Sequence, residues 1–149
     1  MARTAPVLPP GVFDATAEAH RALVGSAANV VVVDGYNLAR AAWSGLGTEE
    51  ERRRTVVLLE EVQARSGGRV VVVFDGETGV VGPVASKHVV VRFSETGETA
   101  DDLIADLIGG IPSTDPVVVV SSDRAVAADA RRQGAAVIGS SAFLAAVRP

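Results

Sequence analysis

The sequence predicts a three-layer α/β/α fold around a five-stranded, mostly parallel sheet, and three observations carry that prediction. Valine-rich runs recur at Val30–Val33, Val70–Val73 and Val117–Val120. Such short apolar runs of β-branched residues suit strands covered on both faces. Each run is followed at once by a polar turn carrying an aspartate: Asp34-Gly35, Asp75-Gly76 and Ser121-Ser122-Asp123. Between the runs lie stretches with helical periodicity. Strands alternating with helices imply right-handed crossovers and helices on both sheet faces.

In chain order, residues 1–12 are rich in proline and small residues and read as a flexible lead-in. Residues 1–28 as a whole read as an N-terminal extension to a domain over 29–149. A short helix is expected from Asp14, as N-cap, to Val24. The first strand is expected over Asn29–Val33. Thr48, with Glu51 three residues on, has the form of a capping box, and Val56, Leu59 and Val62 supply an apolar stripe up to Gly67-Gly68. The run Arg52-Arg53-Arg54 reads as solvated surface rather than a phosphate site. The second strand ends at Phe74, and a loop through Gly79, Gly82 and Pro83 leads to a third strand, His88–Phe93. Thr99 and Asp102 form a second capping box, opening a helix that buries Leu103, Ile104, Leu107 and Ile108. The fourth strand, Val117–Ser121, leads to a helix opened by Asp123. A fifth strand, Ala135–Ile138, precedes a last helix capped by Ser140 or Ser141.

Composition narrows the chemistry. The chain has 149 residues, 48% hydrophobic and 21% charged, which fits one globular domain. Its net charge of −4 argues against broad electrostatic capture of nucleic acid. Without cysteine there is no thiolate chemistry and no thiolate-bound zinc. No apolar run approaches a membrane span, and no signal-peptide pattern opens the chain. A cytoplasmic protein with no membrane contact is expected.

Carboxyl ends of parallel strands border the working crevice of open α/β sheets. Asp34, Asp101 and Asp123 are therefore candidate site residues, with Asp75 and Glu98 in support. Converging carboxylates repel by about 3 kcal/mol per pair at about 5 Å and an effective dielectric near 20. Protons or a hard, oxygen-seeking cation relieve this, and Mg²⁺ or Mn²⁺ suits acid-only ligands. The bland account is that acids at the start of the helix after Thr99 serve the helix dipole. Lys87, the chain's one lysine, with His88 and Arg92 is the candidate basic patch for substrate phosphates. Tyr36 and Trp43 are candidates for stacking on bases. Ser122 is a candidate for binding phosphate. Asn37 is open to two readings, ordering its loop or positioning substrate.

The stretches D-G-Y-N at 34–37, F-D-G at 74–76, E-T-A-D-D at 98–102 and S-S-D at 121–123 together resemble the YacP-like branch of the NYN domains, relatives of the PIN nucleases. The resemblance implies a sheet ordered 3-2-1-4-5 and a metal-dependent endoribonuclease acting on single-stranded RNA. It implies that Asp34, Asp101 and Asp123 bind Mg²⁺ or Mn²⁺ and that Asn37 joins them in catalysis. The rival expectation is a catalytically weak or inactive module that binds RNA or protein. The modest positive charge points to a partner, such as a ribonucleoprotein, that presents the RNA.

Overall fold

The computed structural model describes residues 2–76 and 86–148; the expected loop through Gly79, Gly82 and Pro83 lies outside them. Strand β1 (Val30–Asp34) is central. It pairs in parallel with β2 (Arg69–Phe74) and with β4 (Val117–Val120). Outside these lie β3 (Val89–Phe93) and β5 (Ala136–Ile138), giving the order β3-β2-β1-β4-β5. Every pairing among the described strands is parallel, more uniform than the mostly parallel sheet expected.

The valine runs feed two cores because successive side chains point to opposite faces. Val31, Val33, Val70, Val72, Val118 and Val120 meet helices α1 (Ala17–Gly25), α2 (Gly35–Ala42), α3 (Thr48–Ser66) and α6 (Ser140–Val147). Val30, Val32, Val73, Val117 and Val119 meet α4 (Ala100–Gly110) and α5 (Arg124–Arg132). No helix among the described residues is long and apolar enough to cross a membrane.

Several local expectations change. The lead-in is tied down: Thr4 N–H donates to the Ser113 carbonyl at 2.7 Å. The Arg3 guanidinium donates to the carbonyls of Ile108, Ile111, Pro112, Asp115 and Gln133 at 2.7–3.3 Å. Those carbonyls cluster where α4 and α5 end, so Arg3 places its charge at the negative poles of two helices. Helix α1 starts at Ala17 with Thr16 as its cap, not Asp14. Gly47, not Thr48, is the N-cap of α3, and Glu51 turns inward instead of closing a capping box. Arg52 is buried, 3% exposed, one turn ahead of Val56 on the apolar stripe; only Arg53 and Arg54 of the run are on the surface. Gly139 takes the N-cap of α6 that was assigned to Ser140 or Ser141. The Thr99–Asp102 capping box and the Asp123 cap form as read.

Candidate active site

Strand β1 ends on Asp34, whose backbone turns directly into α2, a helix that had no signal in the sequence. The turn is tight because Gly35 lies against the Phe74 ring. A Cβ there would strike that ring and stand 2.9 Å from the Val73 carbonyl oxygen. Gly76 plays the same part after Asp75, where a Cβ would run into the Ser94 carbonyl. Both strand-end aspartates are thus followed by glycine for reasons of space, and both carboxylates stay at the carboxyl edge of the sheet.

Asp34 is 8% exposed. Its Oδ2 accepts a hydrogen bond from Ser121 Oγ at 2.8 Å. Burial lifts its carboxyl from the usual 3.8 to about 6. The Ser121 bond opposes that shift, the neighbouring Asp101 and Asp123 reinforce it, and Arg40 opposes it weakly. Asp101, on the first turn of α4, is also raised, by desolvation first and then by Asp123, Asp102 and Asp75. The structure therefore brings Asp34, Asp75, Asp101 and Asp123 to one crevice. Asp102 beside them spends its Oδ2 on the Thr99 N–H at 3.1 Å, and so belongs to the helix cap.

A lattice of hydroxyl and amide groups holds the crevice together. Ser121 Oγ, besides donating to Asp34, accepts from the Asp123 N–H at 3.1 Å. Asp123 Oδ1 accepts from Ala125 and Val126 N–H, capping α5. Asn37 Oδ1 accepts from Ser122 N–H at 2.9 Å and from Ser140 Oγ at 2.6 Å. Ser122 Oγ accepts from Ser140 N–H at 2.8 Å. Asn37 and Ser122 therefore tie the start of α2, the turn after β4 and the start of α6 to one another. The sequence marks Ser140 only as a cap, and its link to Asn37 is visible in space alone.

Other candidates are placed elsewhere. Tyr36 is 5% exposed, packs on Phe74 at 5.0 Å between ring centroids, and accepts from buried Arg52 at 2.8 Å. Its ring is a floor of the site rather than an open stacking surface. The expected basic patch is divided by register. Arg92 pairs with Val73, itself opposite Asp34, so Arg92 is level with the crevice on the edge strand. Lys87 and His88 precede β3 and lie at the amino edge, roughly 16 Å from that level by the rise of a strand. Glu98 Oε1 accepts from Glu95 N–H at 3.3 Å within its own loop. Asp75 Oδ1 accepts from Ser94 Oγ at 3.3 Å, anchoring the turn after β2 to the segment after β3. Arg40, one turn beyond Asn37 on α2, was not singled out in the sequence. It stands 5.1 Å above the Tyr36 ring centroid and pairs with buried Glu51 at 3.6 Å.

Among the described residues no group of three acids, histidines or cysteines is gathered tightly enough to enclose an ion. The chemistry of the crevice still fits a divalent cation. Its donors are carboxylate oxygens alone, one of them buried, and burial with the neighbouring acids holds Asp34 and Asp101 toward the neutral form. Mg²⁺ and Mn²⁺ prefer such oxygens and retain water, so the acids need not touch one another to share an ion.

Comparison with known proteins agrees with the geometry. The sequence profile of the YacP-like NYN domain matches residues 31–149. The crystal structure of Rae1 (YacP) from Bacillus subtilis is similar at a TM-score of 0.69 and 29% identity, over 79% of this chain and 72% of that one. The W164L mutant of the same protein gives a TM-score of 0.67 at 29% identity, over 80% and 74%. No curated protein sequence matches the chain. With its profile match running from β1 to the last residue and its sheet order of the PIN-like kind, the chain belongs to the YacP-like NYN domain family.

Proposed function

We propose that the protein is an endoribonuclease that hydrolyses phosphodiester bonds of single-stranded RNA with Mg²⁺ or Mn²⁺ held by Asp34, Asp101 and Asp123. The observation that carries this reading is the convergence of these acids on one crevice of a YacP-like NYN chain, where burial and then neighbouring carboxylates raise Asp34 and Asp101. A cation in such a site activates water and offsets the charge of the in-line transition state. The chain's own residues do the rest. Ser121 fixes the Asp34 carboxylate by engaging Oδ2. Asp123 is aimed by its helix cap, and the capping box of α4 orients Asp101 by holding Asp102 away from the crevice. Asn37 keeps the three segments in register.

A second reading, a binding module with little catalysis, has one observation in its favour: Asn37 Oδ1 is committed to two donors of the protein itself, Ser122 N–H and Ser140 Oγ. A single assay separates the two. Purified protein is incubated with mixed-sequence single-stranded RNA in Mn²⁺, Mg²⁺ or EDTA. Cleavage in metal that stops in EDTA is expected. Undiminished cleavage in EDTA refutes the metal role, and RNA binding without cleavage in either metal leaves the binding module.

A further inference from the structure

Beyond the crevice, α2 and α3 form a seam with a repeating construction. Arg40 on α2 pairs with Glu51 on α3, and three residues further along both segments Trp43 meets Arg54, whose guanidinium carbon stands 6.0 Å above the ring. The rungs lead away from Asp34, because α2 starts immediately after it. Past the second rung the seam opens into a groove lined by Trp43, Arg53, Arg54, Val57, Glu61 and Arg148. Val57 is 45% exposed, unusual for a large aliphatic side chain in this protein. Arg53 and Arg54 share one carboxylate, Glu50. With Arg148 and Glu61 also lining the groove, three cations and two anions gather there, a local excess of one positive charge on a chain whose net charge is −4.

We propose that this groove binds the single-stranded RNA as it leaves the crevice, with Arg40 on a phosphate along the way, a base beside Trp43, and Arg54 and Arg148 on the flanking phosphates. The proposal rests on the nuclease reading for the identity of the strand. Its physical basis is the pairing of an aromatic ring with fixed guanidinium groups, which suits unpaired bases and their phosphates without regard to sequence. Arg40 arrives pre-oriented, since the Tyr36 ring lies under it and buried Glu51 holds its Nε. Held guanidinium groups lose little freedom on meeting a phosphate.

The test compares cleavage of RNA about a dozen nucleotides long with RNA of about three, chosen to fill the crevice with little left for the groove. The variants are Trp43→Leu, Trp43→Phe and the double variant Arg54→Gln/Arg148→Gln, each checked by thermal melt for an intact fold. For Trp43→Leu and the double variant, kcat/KM on the long RNA should fall about tenfold through KM, while the short RNA is cleaved as by the parent. Trp43→Phe should restore most of the loss. Equal effects on both lengths, or none on either, overturn the groove. Fluorescence anisotropy of labelled RNA in EDTA keeps the outcome separate from catalysis. There the double variant should lower the slope of log affinity against log salt by about 1.4, two phosphate contacts at roughly 0.7 each. If the parent does not cleave but shows this change of slope, the groove stands and the nuclease reading falls. An unchanged slope, or no RNA binding by the parent, overturns the groove and leaves the face to a protein partner.

Discussion

The two edges of the sheet treat charge in opposite ways. At the amino edge Arg3 delivers one cation into a ring of five carbonyl oxygens at the ends of α4 and α5. Every partner it needs is supplied by the chain. At the carboxyl edge four aspartates share a crevice, where burial and then the neighbouring carboxylates raise the cost of ionising Asp34 and Asp101. Ser121 and the helix caps orient these acids without neutralising them. The first arrangement adds stability, whereas the second gives stability up and fits an external cation. The contrast separates a charge satisfied within the chain from acids that the chain leaves unneutralised.

The largest test of this contrast is on activity. Asp34→Asn keeps the shape of the side chain and removes its charge, so RNA cleavage should drop on the order of a hundredfold or more, the scale of losing one charge-stabilising group at a reacting centre. Gel assays in Mn²⁺ measure it, and near-parental cleavage would place the chemistry elsewhere. Arg3→Ala, by contrast, should leave cleavage per folded molecule unchanged. It should cost about 2 kcal/mol, because charge-assisted bonds are lost and helix-end carbonyls are left to solvent. That corresponds to a fall in Tm of roughly 4–8 °C for a chain of this length. A loss of activity without a loss of Tm would break the division between the edges.

The next effect is a pH dependence. Asp34 in the folded protein binds its proton more tightly than in the unfolded chain, with about 6 against the usual 3.8. Its contribution to stability is therefore complete below about pH 4 and is lost as pH rises through about 6. In EDTA the parent should lose about 2 kcal/mol relative to Asp34→Asn across that window, and added Mg²⁺ should return it by mass action. Parallel pH profiles for the two proteins would show that burial costs Asp34 nothing. The smallest effect is between neighbours. Asp102→Ala breaks the capping box and should cost about 1 kcal/mol, whereas Asp101→Asn should be no less stable than the parent in EDTA. Thermal melts of both suffice, and the reverse order would make Asp101 the structural acid.

The strand cores and the acids at their ends were legible in the sequence because both are local patterns: runs of valine, then Asp and Gly. Two placements differ from the sequence expectation although a local signal for them exists. Arg52 falls on the same helical stripe as Val56 and Leu59, so periodicity alone places it inside, where it meets the Tyr36 hydroxyl. Lys87 and His88 come before β3, and in a parallel sheet residues before a strand belong to the edge away from the crevice. Other features had no local signal. Helix α2 is built from Gly-Tyr-Asn immediately after a strand, with no side-chain cap, and is held by packing on α3 and α6. The Arg3 anchorage joins residues more than 100 positions apart, and only the folded sheet brings them together.

The bond from Ser140 Oγ to Asn37 spans 103 positions, and it fastens the helix that follows the first strand of the crevice to the last described helix. Closing so long a loop is entropically slow and comes after local pairing. On a ribosome, Asp34, Asp101 and Asp123 are all synthesised before Ser140 is. A nascent chain therefore carries its acids for a time without the strap that sets Asn37 and the turn at Ser122. The hydroxyl of one late serine thus completes the bracing of the crevice only when the last described helix docks.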